Sequence, residues 1–218
     1  MIYELIGLPG SGKSTILEKI KNIENESFSF QDNIDLKNIK NLKYTLLFVD
    51  VTFNILFKSN LSMKSKRFYI FHLFRKIIYI REFKNKQKIF FPDEGLLSIY
   101  ISLLSIFNVS IHKFIEKYIP DEYAVIYLKV ENSIARERFY ERGLPDSWVR
   151  NGVIRINSDG KFDKSKTSQI LNAYVLNINN LMSKDIKLEK FEVLDSSDVN
   201  NTTNKILEII SNNYDSSK

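Results

Sequence analysis

Glycine, lysine and hydroxyl residues near the amino terminus form a pattern that can hold phosphate. The segment Gly7-Leu8-Pro9-Gly10-Ser11-Gly12-Lys13-Ser14-Thr15 fits G-x-x-x-x-G-K-[ST]. Glycines allow backbone N–H groups to approach an anion closely, and the start of the following helix adds its partial positive charge. The pattern therefore predicts a loop that binds nucleotide phosphate through Gly10, Ser11, Gly12, Lys13, Ser14 and Thr15.

The flanks of this loop fit the same chemistry. Residues 2–6 are typical of a short strand, and residues 14–23 of a helix with apolar positions on one face. In that setting Lys13 would reach the β and γ phosphates, while the Ser14 hydroxyl would complete the oxygen shell of a Mg²⁺ ion. ATP and Mg²⁺ are the expected cofactors.

Two acids close a second predicted strand. Residues 88–95 run from apolar residues into Pro92, Asp93, Glu94 and Gly95, as in a buried strand that delivers carboxylates to the carboxyl edge of a parallel sheet. Neighbouring side chains on a strand point to opposite sides, so one acid should face the loop. We expect Asp93 to hold the metal or accept the proton of an attacking hydroxyl, with Glu94 as the alternative base.

Arginines on a predicted helix supply a third element. Residues 122–130 resemble a central strand and residues 131–143 the helix after it, in which Arg138 and Arg142 lie one turn apart. Two like charges at this spacing repel unless an anion lies between them. We expect both guanidinium groups to contact phosphate oxygens. The alternative is a solvated helix face with an Arg138–Glu141 pair.

Length and composition favour one α/β domain. The chain has 218 residues, 44% of them hydrophobic, enough for one substantial core. Without cysteine it cannot form disulfides or use a thiolate, and its two histidines, His72 and His112, are expected to be packed or at the surface. The net charge of +6 is concentrated between residues 58 and 88, which favours either a phosphorylated substrate or a solvated helix face.

The middle and the end of the chain suggest where a substrate binds. Residues 44–58 and 63–86 look helical, so the stretch 44–86 forms a helical excursion from the sheet that can build an acceptor pocket. Residues 143–167 lack periodicity and would serve as a lid. The apolar run 95–111 is expected to be a helix buried against the sheet, with one side free for a homodimer contact. No membrane segment or secretory signal is predicted, and we expect a cytoplasmic protein.

With the loop, the acid-ended strand, the arginine helix and a closing strand at 191–195 in this order, the chain resembles P-loop kinases of the nucleoside-monophosphate kinase type, with thymidylate kinase the nearest layout. The resemblance implies an α/β three-layer sandwich with a parallel sheet of about five strands flanked by helices. It also implies that the loop beginning at Asp195 lies near the adenine ring. Asp93-Glu94-Gly95 lacks the arginine that thymidylate kinases usually carry after the acid, so thymidine phosphate is not the assumed substrate.

These features together predict an ATP- and Mg²⁺-dependent phosphotransferase that acts on a small hydroxyl- or phosphate-bearing metabolite. Two alternatives stay open. One is a nucleotide-dependent switch or assembly protein that hydrolyses ATP slowly. The other is a polynucleotide 5′-kinase, for which the basic segment between residues 58 and 88 would be the binding surface.

Overall fold

A five-stranded parallel sheet forms the centre of the molecule. The computed structural model describes residues 1–23, 27–30, 42–58, 62–83, 88–143, 154, 163–182 and 190–215. The strands are β1 (Ile2–Gly7), β2 (Phe28–Phe30), β3 (Ile89–Phe91), β4 (Tyr123–Lys129) and β5 (Lys190–Asp195). Their spatial order is β2-β3-β1-β4-β5, so the strand that enters the phosphate-binding loop is central. Strands β1, β3, β4 and β5 lie where the sequence analysis predicts strands.

Helices cover both faces of the sheet, as the predicted three-layer sandwich requires. In the described residues they are α1 (Lys13–Lys21), α2 (Leu42–Lys58), α3 (Met63–Phe83), α4 (Leu96–Phe107), α5 (His112–Tyr118), α6 (Asn132–Arg142), α7 (Lys164–Met182) and α8 (Val199–Asp215). One apolar cluster joins the sheet to α1 and α8, and a larger one joins it to α3, α4, α6 and α7. The predicted α/β fold class is confirmed.

The long apolar run after the two acids is shorter as a helix than the sequence predicts. Helix α4 ends at Phe107 because Asn108 adopts the left-handed conformation, with φ of 54°, and caps the last turn. The chain then starts the short helix α5 at His112, which the sequence analysis did not predict. Helix α4 packs on α3, α5, α7 and β1 within the chain. A contact between two copies stays a prediction.

The predicted excursion consists of α2 and α3, which pack against each other. Most of the predicted lid, at residues 144–153 and 155–162, lies outside the described residues; its last part already forms the first turn of α7. Among the helices that the structure describes, none has the length and apolar character needed to cross a membrane.

Candidate active site

The glycine-rich loop, which the sequence predicts to bind phosphate, joins the central strand to α1 in the predicted order. Strand β1 ends at Gly7, and α1 begins at Lys13 with Gly12 as its N-cap at φ of 87°. The backbone N–H of Ser11 donates to the carbonyl oxygen of Leu8 at 3.0 Å, which closes the turn inside the loop. Ser14 and Thr15 are exposed in the first turn of the helix. The loop therefore presents a helix N-terminus and two hydroxyl groups at the carboxyl edge of the sheet.

Gly10 brings the loop against the arginine helix. A Cβ atom at this position would lie 2.3 Å from the carbonyl oxygen of Ala135 and 3.4 Å from the backbone nitrogen of Phe139, both in α6. Only a residue without a side chain allows this approach, and its φ of 90° also favours glycine. The backbone of α6 is therefore seated on the loop, and the turn of helix that carries Arg138 lies beside it.

The arginines of α6 differ in what they face. Arg142 is exposed, and its charge is close enough to Lys13 to lower the pKa of that lysine. Arg138 is half-buried in the turn that packs on Gly10. Arg136 instead donates to the side-chain oxygen of Asn172 in α7. Contact of Arg138 and Arg142 with phosphate stays a prediction.

Lys13 is held inside the loop. Its ammonium group donates to the carbonyl oxygens of Gly7 and Leu8 at 2.9 Å each. Burial lowers the pKa of Lys13 to about 8, the carboxylate of Glu94 opposes this shift, and the charge of Arg142 adds to it. A polyphosphate close to the ammonium group would favour its charged form, because an opposite charge raises the pKa of a lysine.

The two acidic side chains after β3 have different surroundings. Burial acts to raise the pKa of Glu94, but the hydrogen bond from His72 and the charges of His72, Lys76 and Lys13 outweigh it and leave the pKa lowered. Asp93 instead pairs with Lys21 of α1 at 3.1 Å, and its side chain is 52% exposed. The sequence favoured Asp93 as the acid that faces the loop. In the structure the charge of Glu94 acts on Lys13, because the two side chains leave the strand end in different directions.

A cavity of about 300 Å³ connects the loop with the helical excursion. It lies between the loop, the two acids, and helices α3, α4 and α7. The lining combines charged and hydroxyl-bearing side chains near the loop with apolar and aromatic walls farther away. The residues are Ile6, Gly7, Pro9, Lys13, Phe68, Tyr69, Asp93, Glu94, Ser98, Ile101, Ser102, Ile106 and Tyr174. Asp93 and Glu94 thus share one cavity with Lys13.

A buried glutamate, which the sequence analysis did not single out, holds the start of α4. Glu4 lies in β1, fully buried, and accepts hydrogen bonds from the backbone N–H groups of Leu97 at 3.0 Å and Ser98 at 2.6 Å and from the Tyr123 hydroxyl. A Cβ on Gly95 would lie 2.3 Å from the Glu4 carboxyl carbon. Glu4 therefore ties the turn after the two acids to the strand that enters the loop. The signal was a carboxylate inside an otherwise apolar strand.

Helix α3 adds two more residues that sequence reasoning did not place in the site. His72 lies with its Nε2 atom 2.8 Å from Oε2 of Glu94. Lys76 is only 2% exposed; burial lowers its pKa, and the charges of Glu94, Asp93 and Glu4 oppose that shift. Their spacing was one available signal in the sequence, because residues four positions apart in a helix lie on the same face and can contribute to the same site.

The fold has known counterparts. Structures of deoxyadenosine kinase from M. mycoides with the products dCMP and a flexible dCDP, and with dATP, each align with a TM-score of 0.55 over 97% of this chain and 100% of that enzyme, at 19% and 17% sequence identity. The chain shares its fold with this deoxyadenosine kinase. No protein-family model matches the sequence, and no curated protein matches it either. The expected resemblance to P-loop kinases is confirmed at the level of fold.

The side chains that the sequence assigned to Mg²⁺ offer suitable oxygen donors. Ser14 presents an exposed hydroxyl and Asp93 a half-exposed carboxylate, and oxygen donors with several water molecules are what Mg²⁺ prefers. The Asp93–Lys21 pair does not prevent this, because an exposed ion pair contributes little free energy and opens easily. The two side chains therefore fit a magnesium ion held mainly by phosphate and water.

Proposed function

We propose that the protein is an ATP- and Mg²⁺-dependent nucleoside kinase, which transfers the γ-phosphoryl group of ATP to a hydroxyl group of a nucleoside. One observation carries the proposal: Lys13 of the phosphate-binding loop and the carboxylate of Glu94 line the same 300 Å³ cavity. A cavity of this size matches the lower end of small-molecule sites. A donor site and a candidate base on one cavity are what phosphoryl transfer requires.

The transfer step follows from these residues. Glu94 accepts the proton of the acceptor hydroxyl while the hydroxyl oxygen bonds to the γ-phosphorus of ATP. The bond from that phosphorus to the oxygen that bridges the β and γ phosphates breaks and releases ADP. Lys13, Arg138 and Arg142 balance the charge on the migrating group. Mg²⁺, held through Ser14 and Asp93, would supply further neutralisation of the phosphate charge.

Glu94 is our choice for the base in place of the sequence-based preference for Asp93. Its charge acts on Lys13, whereas Asp93 pairs with Lys21 of α1. A base with a lowered pKa is ionised at neutral pH and ready to accept a proton. Asp93 keeps the proposed role at the metal.

The cavity wall favours an uncharged acceptor over a phosphorylated one. Glu94 lines the space that the acceptor would occupy, and its negative charge would repel a phosphate on the acceptor. Ser98 and Ser102 offer hydroxyl oxygens, and Phe68 provides an aromatic face. Sugar hydroxyls and a flat base suit this mixture of groups. The structural neighbours, a deoxyadenosine kinase bound to deoxynucleotides, support a nucleoside as the class.

The test is ATP consumption by the purified protein with Mg²⁺ in the presence of deoxynucleosides, ribonucleosides, nucleoside monophosphates, sugars or 5′-hydroxyl oligonucleotides. We expect ADP release with a nucleoside and a matching amount of nucleoside monophosphate by mass spectrometry. Transfer to monophosphates alone would refute the choice of acceptor. Tight ATP binding with slow hydrolysis that no acceptor accelerates would refute the kinase and favour the switch or assembly protein.

A further inference from the structure

We propose that His72 is a positioning residue: its imidazole fixes the carboxylate of Glu94 so that the other oxygen is directed at the acceptor hydroxyl. This inference rests on the proposed kinase reaction and adds a residue from the helical excursion to it. His72 itself does not line the cavity, whereas Glu94 does. Its effect on the reaction would therefore pass through Glu94.

The contact between the two side chains is direct. Nε2 of His72 lies 2.8 Å from Oε2 of Glu94, so the imidazole donates its Nε2–H and the carboxylate oxygen accepts. A carboxylate has two oxygens, and this bond occupies one of them. Oε1 remains for the acceptor. The hydrogen bond to His72 would hold the Glu94 carboxylate in one orientation.

The imidazole is itself held in place by its own helix. Phe68, one turn earlier in α3, stacks on the His72 ring with 5.4 Å between the ring centroids and 16° between the planes. Phe68 also lines the cavity, so the stack reaches from the acceptor space to the carboxylate anchor. One turn after His72, Lys76 is almost completely buried. The three residues lie one turn apart on one face of α3, beside Glu94.

Helix α3 would therefore do more than enclose the acceptor. It would carry the group that orients the base, while β3 carries the base and β1 carries the phosphate-binding loop. Because α2 packs on α3, the excursion and the sheet would have to be correctly assembled before Glu94 could act. The sequence left open that His72 is only a surface residue, and a surface residue would not orient Glu94.

Kinetics with four variants test the proposal. His72→Leu removes the donor and keeps a similar volume, whereas His72→Gln retains an N–H group at a similar reach. We expect His72→Leu to lower kcat by about tenfold or more, with the KM for the nucleoside within about twofold, because orientation of the base affects the transfer step. His72→Gln should recover most of the loss. His112→Leu and His112→Gln are matched controls, since His112 pairs with Glu116 in α5, and they should keep the wild-type kcat.

A spectroscopic measurement tests the contact independently of turnover. The chain has two histidines, so each imidazole gives its own pair of nitrogen NMR signals, and Glu94→Gln should move the His72 pair and leave the His112 pair in place. An unmoved His72 signal would overturn the contact and the proposal. A wild-type kcat in His72→Leu, or an equal loss in His72→Gln with unchanged thermal unfolding, would overturn the positioning role while the kinase remains. A wild-type protein that transfers no phosphoryl group would refute the proposed function itself.

Discussion

Two glycines in the phosphate-binding loop allow a direct test of how α6 is seated. Gly10 and Gly12 have almost the same backbone conformation, with φ of 90° and 87°. They differ in their surroundings. A Cβ on Gly10 would lie 2.3 Å from a backbone oxygen of α6, whereas a Cβ on Gly12 would meet nothing within 4 Å. Alanine therefore adds similar backbone strain at both positions, but it adds a steric clash only at position 10.

The magnitudes follow from these two terms. A residue with a side chain at such a positive φ costs about 1–2 kcal/mol, and we expect this loss of unfolding free energy for both Gly10→Ala and Gly12→Ala. The clash with Ala135 is with backbone and cannot be relieved by a rotamer change, so it adds about 1–3 kcal/mol for Gly10→Ala alone. For a chain of this size the additional loss corresponds to about 2–12 °C in Tm.

The assay is thermal and urea unfolding of both variants beside the wild type, without nucleotide, so that altered ligand affinity does not enter the comparison. Equal unfolding free energies for the two variants would contradict the contact between Gly10 and α6. The reason for placing Arg138 and Arg142 beside the loop would then be lost as well.

Further predictions concern the charged residues. Lys13→Ala should lower kcat by at least about 10²-fold with an unchanged thermal unfolding midpoint, and near-normal turnover would contradict its role at the phosphates. Glu94→Gln should lower kcat by about 10²–10⁴-fold, whereas Asp93→Asn should chiefly raise the Mg²⁺ concentration needed for half-maximal rate; a metal titration separates the two roles. Burial raises the pKa of Glu4, so the folded state retains a proton that the unfolded state has lost, and this residue's contribution to stability falls as pH rises above about 4.5. Unfolding of Glu4→Gln should lack that decline, and parallel pH profiles for variant and wild type would contradict it.

The elements that depend on local sequence were predictable. Strands β1, β3, β4 and β5 and the first helix follow from apolar patterning, and the loop follows from a dense set of glycines before Lys13 and Ser14. The end of α4 and the separate helix α5 were not predicted, because the apolar run from residue 95 to 111 contains no strong helix breaker that would mark where the first helix stops. Asn108 ends α4 by adopting φ of 54°, which the sequence permits but does not demand.

The sequence by itself determined that a glycine-rich loop with Lys13 and Ser14 follows a strand of a parallel sheet and that two acids follow a neighbouring strand. These properties reside in short segments whose residue types permit few conformations. Only the tertiary structure decided which acid acts on Lys13, since that depends on where β3 ends beside β1 and which helix lies against each side chain. The same holds for Glu4 under α4 and for His72 beside Glu94. Their partners are distant in the chain, and they meet only because the sheet and the helical excursion pack together.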